Sequence, residues 1–102
     1  MSVRTHGKTY LMKAPEDWAW QDLRDYVNDR HHDETYDVSP EREASIFKSF
    51  IKRWPDGQAA RIAKIVFTQY GGEWHGRAVS PVTFRKDNDP FFAEVISELL
   101  ER

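Results

Sequence analysis

The stretch from residue 58 to residue 86 constrains this chain most: an apolar helix pattern, a Gly-Gly stop, then a compact connection carrying Trp, His and Arg. Between residues 58 and 70, apolar side chains recur at Ala59, Ile62, Ala63, Val66 and Tyr70, the spacing of one helical face, and Ile65 and Phe67 widen it. What remains is a narrow polar strip of Arg61, Lys64 and Thr68. A helix with so wide an apolar arc packs against several partners, so it is expected at the centre of the fold. Gly71 and Gly72 follow where a left-handed cap is expected, because glycine reaches positive φ without a Cβ penalty.

The other elements are read around that helix. Pro15 suits a first helical turn, Glu16 and Asp17 favour the positive end of the helix dipole, and Trp20, Leu23 and Val27 form a stripe broadened by Trp18, Ala19 and Tyr26. A first helix is therefore expected over residues 15–30, followed by a polar loop at 31–38. Ser39 caps the next helix and Pro40 occupies a position where its missing N–H costs nothing. Its apolar face is Ala44, Phe47, Phe50, Ile51 and Trp54, with Ile46 at the margin and Arg42, Ser45, Lys48, Ser49 and Lys52 opposite. Pro55, Asp56 and Gly57 turn directly into the central helix. Residues 73–79 are read as a short hairpin-like excursion. Ser80-Pro81 is read as a second capped start, with about two helical turns through Lys86. Asp89-Pro90 opens a terminal helix with Phe92, Val95, Ile96 and Leu99 inward and Glu94, Glu98 and Glu101 in water. Residues 8–12 are read as a short strand or an extended arm against the core. The expectation is a mainly α single domain over residues 1–102: a compact bundle of about four helices with a short extended or hairpin-like segment around residues 72–80.

A chain of 102 residues with 14% aromatic side chains can bury a core without metals or disulfides, and it has no cysteine to supply a disulfide or a catalytic thiol. No apolar run reaches membrane length and residues 1–13 lack a secretory signal pattern, so a cytoplasmic location and no membrane contact are expected. The net charge of −2 hides a strong asymmetry. Residues 15–40 carry eight acids against Arg24 and Arg30, whereas residues 42–86 carry nine basic side chains against Glu43, Asp56 and Glu73. A basic middle thus lies between acidic ends.

Metal binding is the first chemistry that four histidines suggest, above all at His31-His32-Asp33-Glu34. Adjacent histidines on a helix point about 100° apart, so they do not converge on one ion, and no metal or other cofactor is expected. Asp22, Asp25 and Asp29 share one helical flank, which reads as a solvated face or, alternatively, as an acidic ridge for a basic protein partner. The glycines make no phosphate-binding motif and no nucleophile stands beside a base, so catalysis is not expected. Interleaved cations and aromatics suit nucleic acid, because lysine and arginine neutralise phosphates and aromatic rings stack on exposed bases. Here the candidates are Arg42, Lys48, Lys52, Arg61, Lys64, Trp74, Arg77, Thr83, Arg85 and Lys86. For Trp74 and Phe84, closure of the core over the central helix is the favoured reading.

Residues 79–85, reading Val-Ser-Pro-Val-Thr-Phe-Arg, resemble the opening of the recognition helix in helix-turn-helix repressors. The resemblance implies that Ser80 caps that helix and that Pro81, Thr83 and Arg85 approach DNA in the major groove. It covers under a tenth of the chain. Ile62 and Ala63 would stand for the first helix, with residues 73–77 as an insertion or wing. In its layout of basic helix, Gly-Gly, Trp and Asp-Pro-Phe-Phe, the whole chain resembles short, cysteine-free, Trp-rich accessory proteins of actinobacterial phages and prophages. That resemblance implies a role in phage DNA metabolism or in taking over a host protein. The expected function is a small nucleic-acid-binding accessory or regulatory protein, with DNA favoured over RNA. The alternative is an adaptor or inhibitor that docks on a protein partner through the acidic first helix and exposed aromatics. Oligomeric state is left open.

Overall fold

In a computed structural model, residues 10–31, 38–74 and 76–100 are described. The helix expected at the centre is there: α3, Gln58–Thr68, buries Ala59, Ala60, Ile62, Ala63 and Val66. It packs against α1 (Trp20–Arg30), α2 (Pro40–Arg53), α4 (Asp89–Leu100) and a 3₁₀ turn at Pro15–Asp17. The helix ends in a four-residue turn in which Glu73 N–H donates to Tyr70 O at 3.2 Å, and its two central residues, Gly71 and Gly72, have φ of +65° and +76°. A Cβ would strain both positions, which is why glycine stands there.

A two-stranded antiparallel hairpin follows, β1 (Glu73–Trp74) and β2 (Arg77–Ala78), pairing Glu73 with Ala78 and Trp74 with Arg77. Val79 N–H closes its base by donating to Gly72 O at 2.8 Å. The bundle is therefore mainly α with a hairpin excursion. Its radius of gyration, 13.0 Å, is that of a folded chain of this length.

The sequence-based expectation for α2 holds at both ends. The Ser39 side chain accepts from Arg42 N–H, Pro40 occupies the first turn, and Lys52 and Arg53 lie in the last turn where cations favour the dipole. Phe47 and Phe50 are fully buried, Ala44, Ile51 and Trp54 are half-buried, and Ile46, expected at the margin, is buried as well. Two aromatic clusters build much of the core. Tyr10, Trp18 and Tyr26 meet at centroid distances of 5.4 to 5.6 Å. Phe84 meets Phe47, Phe50 and Phe92 at 5.7, 5.0 and 5.5 Å. Each fully buried phenylalanine contributes about 1.5–3 kcal/mol relative to exposure.

Three expectations are corrected. The first helix does not run from Pro15. Pro15–Asp17 is a separate 3₁₀ turn, Trp18 and Ala19 are extended, and α1 begins at Trp20. In one continuous helix Trp18 would sit about 140° around the axis from Leu23, facing away from the core. The break turns it inward, where 6% of it remains exposed. Secondly, Tyr10, Leu11 and Met12 form a 3₁₀ turn rather than a strand, with Tyr10 buried and Leu11 and Met12 exposed; residues 8 and 9 of that expected arm lie outside the described residues.

Thirdly, Ser80 does not open a two-turn helix. Pro81–Phe84 and Lys86–Asn88 are separate 3₁₀ turns with Arg85 extended between them. Pro81 and Phe84, three apart as a 3₁₀ repeat aligns them, both face the core. Carbonyls that a longer helix would use are taken by side chains: Asn88 Nδ2 donates to Thr83 O at 2.8 Å and Arg53 Nη2 to Phe84 O at 3.2 Å. Arg53 also grips Asp89, the first residue of α4, through Nε and Nη2 at 2.7 and 3.0 Å. In α4, Phe91, Phe92, Val95 and Ile96 are buried and Glu94 and Glu98 are exposed. Glu101 and the Leu99 side chain fall outside the described part.

Candidate nucleic-acid interface

The cations of the basic middle divide into two groups once the chain is folded. Arg42, Lys48 and Lys52 project from the outer face of α2 together with Ser45 and Ser49, and all are exposed. Among the described residues, no carboxylate lies within ion-pair distance of Lys48 or Lys52. The half-buried α3 cations have partners within the chain. Arg61 Nη2 donates to Glu16 Oε2 at 2.6 Å and Arg61 Nη1 to Asp56 O at 3.0 Å. Glu16 is held below the ordinary carboxylate range by its own backbone amide first and by Arg61 second. The Lys64 ammonium lies 5.4 Å from the centre of the Trp18 ring.

The 3₁₀ segment is tied down in the same way. Thr83 Oγ1 accepts from Ser80 N–H at 3.1 Å, Pro81 is buried, and Arg85 Nη2 lies 3.9 Å from Asp87 Oδ2. Pro81 and Thr83, expected to approach DNA, are thus used in building the turn. Lys86 is exposed. Trp74 and Arg77 face each other across the hairpin register, and their side chains lie outside the described part.

What the folded chain adds to the α2 cations is Trp20, which begins α1 and which the helix pattern assigns to the core. It is half-buried and forms one wall of an open groove of about 450 Å³ with Lys48, Ser49, Ile51 and Lys52. The Lys48 ammonium and the Arg24 guanidinium each lie 5.1 Å from its ring centre. Ser49 is oriented by Arg53, whose Nη1 donates to its hydroxyl at 2.5 Å. A tryptophan with two cations beside it and two lysines one helical turn apart offers a π face and a pair of positive charges within a single groove. The helix pattern places Trp20, Leu23 and Val27 on one stripe; α1 begins at Trp20, three residues before the buried Leu23, and Trp20 stands half-buried at the rim instead of the centre.

The acidic flank of α1 behaves differently from a solvated ridge. Asp22 is 2% exposed: Oδ2 accepts from Ala19 N–H at 2.8 Å, capping the helix, and from Lys13 Nζ at 2.9 Å. Asp29 accepts from the Tyr10 hydroxyl at 2.5 Å, and Asp25 from Arg24 Nε at 3.1 Å. Burial first, and donation to Asp29 second, raise the Tyr10 phenol above its ordinary 10.0. Asp22 thus serves the N-terminal packing of α1, Asp25 meets its neighbour Arg24, and Asp29, exposed in the last turn, accepts from Tyr10. No group of three or more metal-ligating side chains comes together among the described residues, and His32, Asp33 and Glu34 lie outside them. No described helix is long and apolar enough to cross a membrane. No protein-family model, curated protein or solved structure matches this chain.

Proposed function

We propose that this protein is a small cytoplasmic nucleic-acid-binding accessory or regulatory protein, of the phage or prophage kind its sequence resembles, and that it acts by binding rather than by catalysis. The observation that carries this reading is the outer face of α2, where exposed Lys48 and Lys52 have no carboxylate partner among the described residues and share a groove with Trp20. Exposed cations without a carboxylate partner are those able to exchange counterions for phosphates. The reading is narrower than the basic middle suggested: Lys48, Lys52 and Arg42 are its core, with Lys86 as an outlying cation, while Arg61 is paired with Glu16 and Lys64 is half-buried beside Trp18. The adaptor alternative keeps the exposed Asp29 and half-buried Asp25 for a basic partner, but not Asp22, which is buried in the α1 packing.

Fluorescence anisotropy with labelled single-stranded and duplex DNA tests it. With two or three phosphate contacts, affinity is expected to fall about 7- to 18-fold for single strands, or about 12- to 42-fold for duplex, between 50 and 200 mM salt. Lys48→Glu combined with Lys52→Glu is expected to abolish binding. Absence of binding at the lower salt, or full binding by that double variant, would overturn the proposal.

A further inference from the structure

Resting on that reading, we infer that the ligand of the α2 groove is a single strand, held by one unpaired base stacked on Trp20 with its flanking phosphates on Lys48 and Lys52. Three features point the same way. The groove is short: one tryptophan and two lysines line it, with Ser49 and Ile51 between. It is sized for one nucleotide rather than for the width of a duplex. The aromatic wall is a flat π face, and a duplex hides the faces of its bases in its own stack, whereas a single strand presents them. Finally, the segment whose sequence resembles a recognition helix, Pro81–Phe84, is a four-residue 3₁₀ turn with Pro81 and Phe84 buried, so it does not enter a major groove.

The cations over Trp20 prepare the exchange. The Lys48 ammonium lies 5.1 Å from the ring centre, and its side chain is exposed. When a strand enters, the ammonium moves to a phosphate and the base takes its place over the indole. Arg24, also at 5.1 Å and paired with Asp25 through Nε, stays and holds the ring's position. Stacking of this kind tolerates any base, so the site reads strand form rather than sequence.

The test uses the full chain and four labelled ligands of equal length: oligodeoxythymidine, oligouridine, a mixed-sequence duplex, and an abasic deoxyribose phosphate strand. The thymidine strand is expected to bind more tightly than the duplex, and removal of its bases to weaken binding about 5- to 150-fold. Oligouridine, compared with oligodeoxythymidine, separates RNA from DNA as the physiological strand. Trp20→Leu is expected to weaken the thymidine strand by a similar factor and to leave the abasic strand unchanged. Should that variant unfold, the comparison of thymidine and abasic strands in the unaltered protein still decides. Equal binding of abasic and thymidine strands, still lost on Lys48→Glu with Lys52→Glu, would overturn the stacking while leaving nucleic-acid binding intact. Failure of every ligand to bind would overturn the underlying reading itself.

Discussion

Asp22 bears its charge at a position where helical periodicity expects solvent. It is the third residue of α1, and its carboxylate reaches back to the amide of the cap residue Ala19, the N3 half of a capping box. Lys13, 40% exposed, supplies the countercharge from the preceding turn. Two charged interactions at a buried oxygen make this side chain structural. Asp22→Ala is expected to lower stability by about 2–3 kcal/mol, the range for removing hydrogen bonds to a buried charged group. Urea unfolding checks it, and a loss under about 0.5 kcal/mol would return Asp22 to the solvated flank. Trp20 makes the complementary point: it belongs to the apolar stripe in sequence, yet it lies at the rim where a ligand can reach it.

Between elements, the turn from α2 into α3 is set by Gly57. Its φ is +82°, and a Cβ there would come within 2.8 Å of Arg61 Nη1, 3.0 Å of Glu16 N and 3.1 Å of Pro15 C. The glycine lets the 3₁₀ turn Pro15–Asp17 lie directly on the start of α3. Arg61, reaching from α3 to Glu16, then fastens the two. Gly71 has a comparable φ of +65° but nothing within 4 Å of its would-be Cβ. The two alanine variants therefore separate backbone strain from crowding. Gly71→Ala is expected to cost about 1–2 kcal/mol, the left-handed penalty alone. Gly57→Ala is expected to cost at least about 1 kcal/mol more, measured as the difference in unfolding free energy. Equal costs would show that the 3₁₀ turn yields freely.

Across the whole molecule, the irregular stretch after the hairpin is part of the core rather than a covering loop. Phe84 is fully buried against Phe47 and Phe50 from α2 and is stacked on Phe92 from α4 at an interplanar angle of 11°. Arg53 holds its carbonyl and the first residue of α4 together. Phe84→Ala is expected to cost about 3–5 kcal/mol, a large share of the roughly 5–15 kcal/mol by which a domain is stable. Thermal or urea unfolding should show one cooperative transition at a much reduced midpoint; a loss under about 1 kcal/mol would make this stretch peripheral. The charge asymmetry is also reshaped at this scale. Basic side chains that are neighbours in sequence part company, Arg53 and Arg61 into internal ion pairs and Lys48 and Lys52 onto the α2 surface.

The sequence by itself determined the features governed by local chemistry. The α3 face, the Ser39-Pro40 start of α2, the Pro55-Asp56-Gly57 turn, the glycine stop at Gly71 and Gly72, and the Asp89 start of α4 follow from periodicity, capping and glycine's access to positive φ. These preferences act over one to four residues, so they can be read without knowing the neighbours. The candidate site was half legible: Lys48 and Lys52 stand out as a cationic pair on a helical face, but Trp20 does not, because the stripe it shares with Leu23 and Val27 reads as core whereas it stands half-buried at the start of α1. Only the tertiary structure decided that start, through the burial of Trp18 against Tyr10 and Tyr26. It also decided the 3₁₀ turns after Ser80, where Arg53 and Asn88 take carbonyls a helix would have used. Donors outside residues 79–86, Arg53 from α2 and Asn88 just beyond, outweighed the local preference for a capped helix, and no pattern within that stretch carries that information.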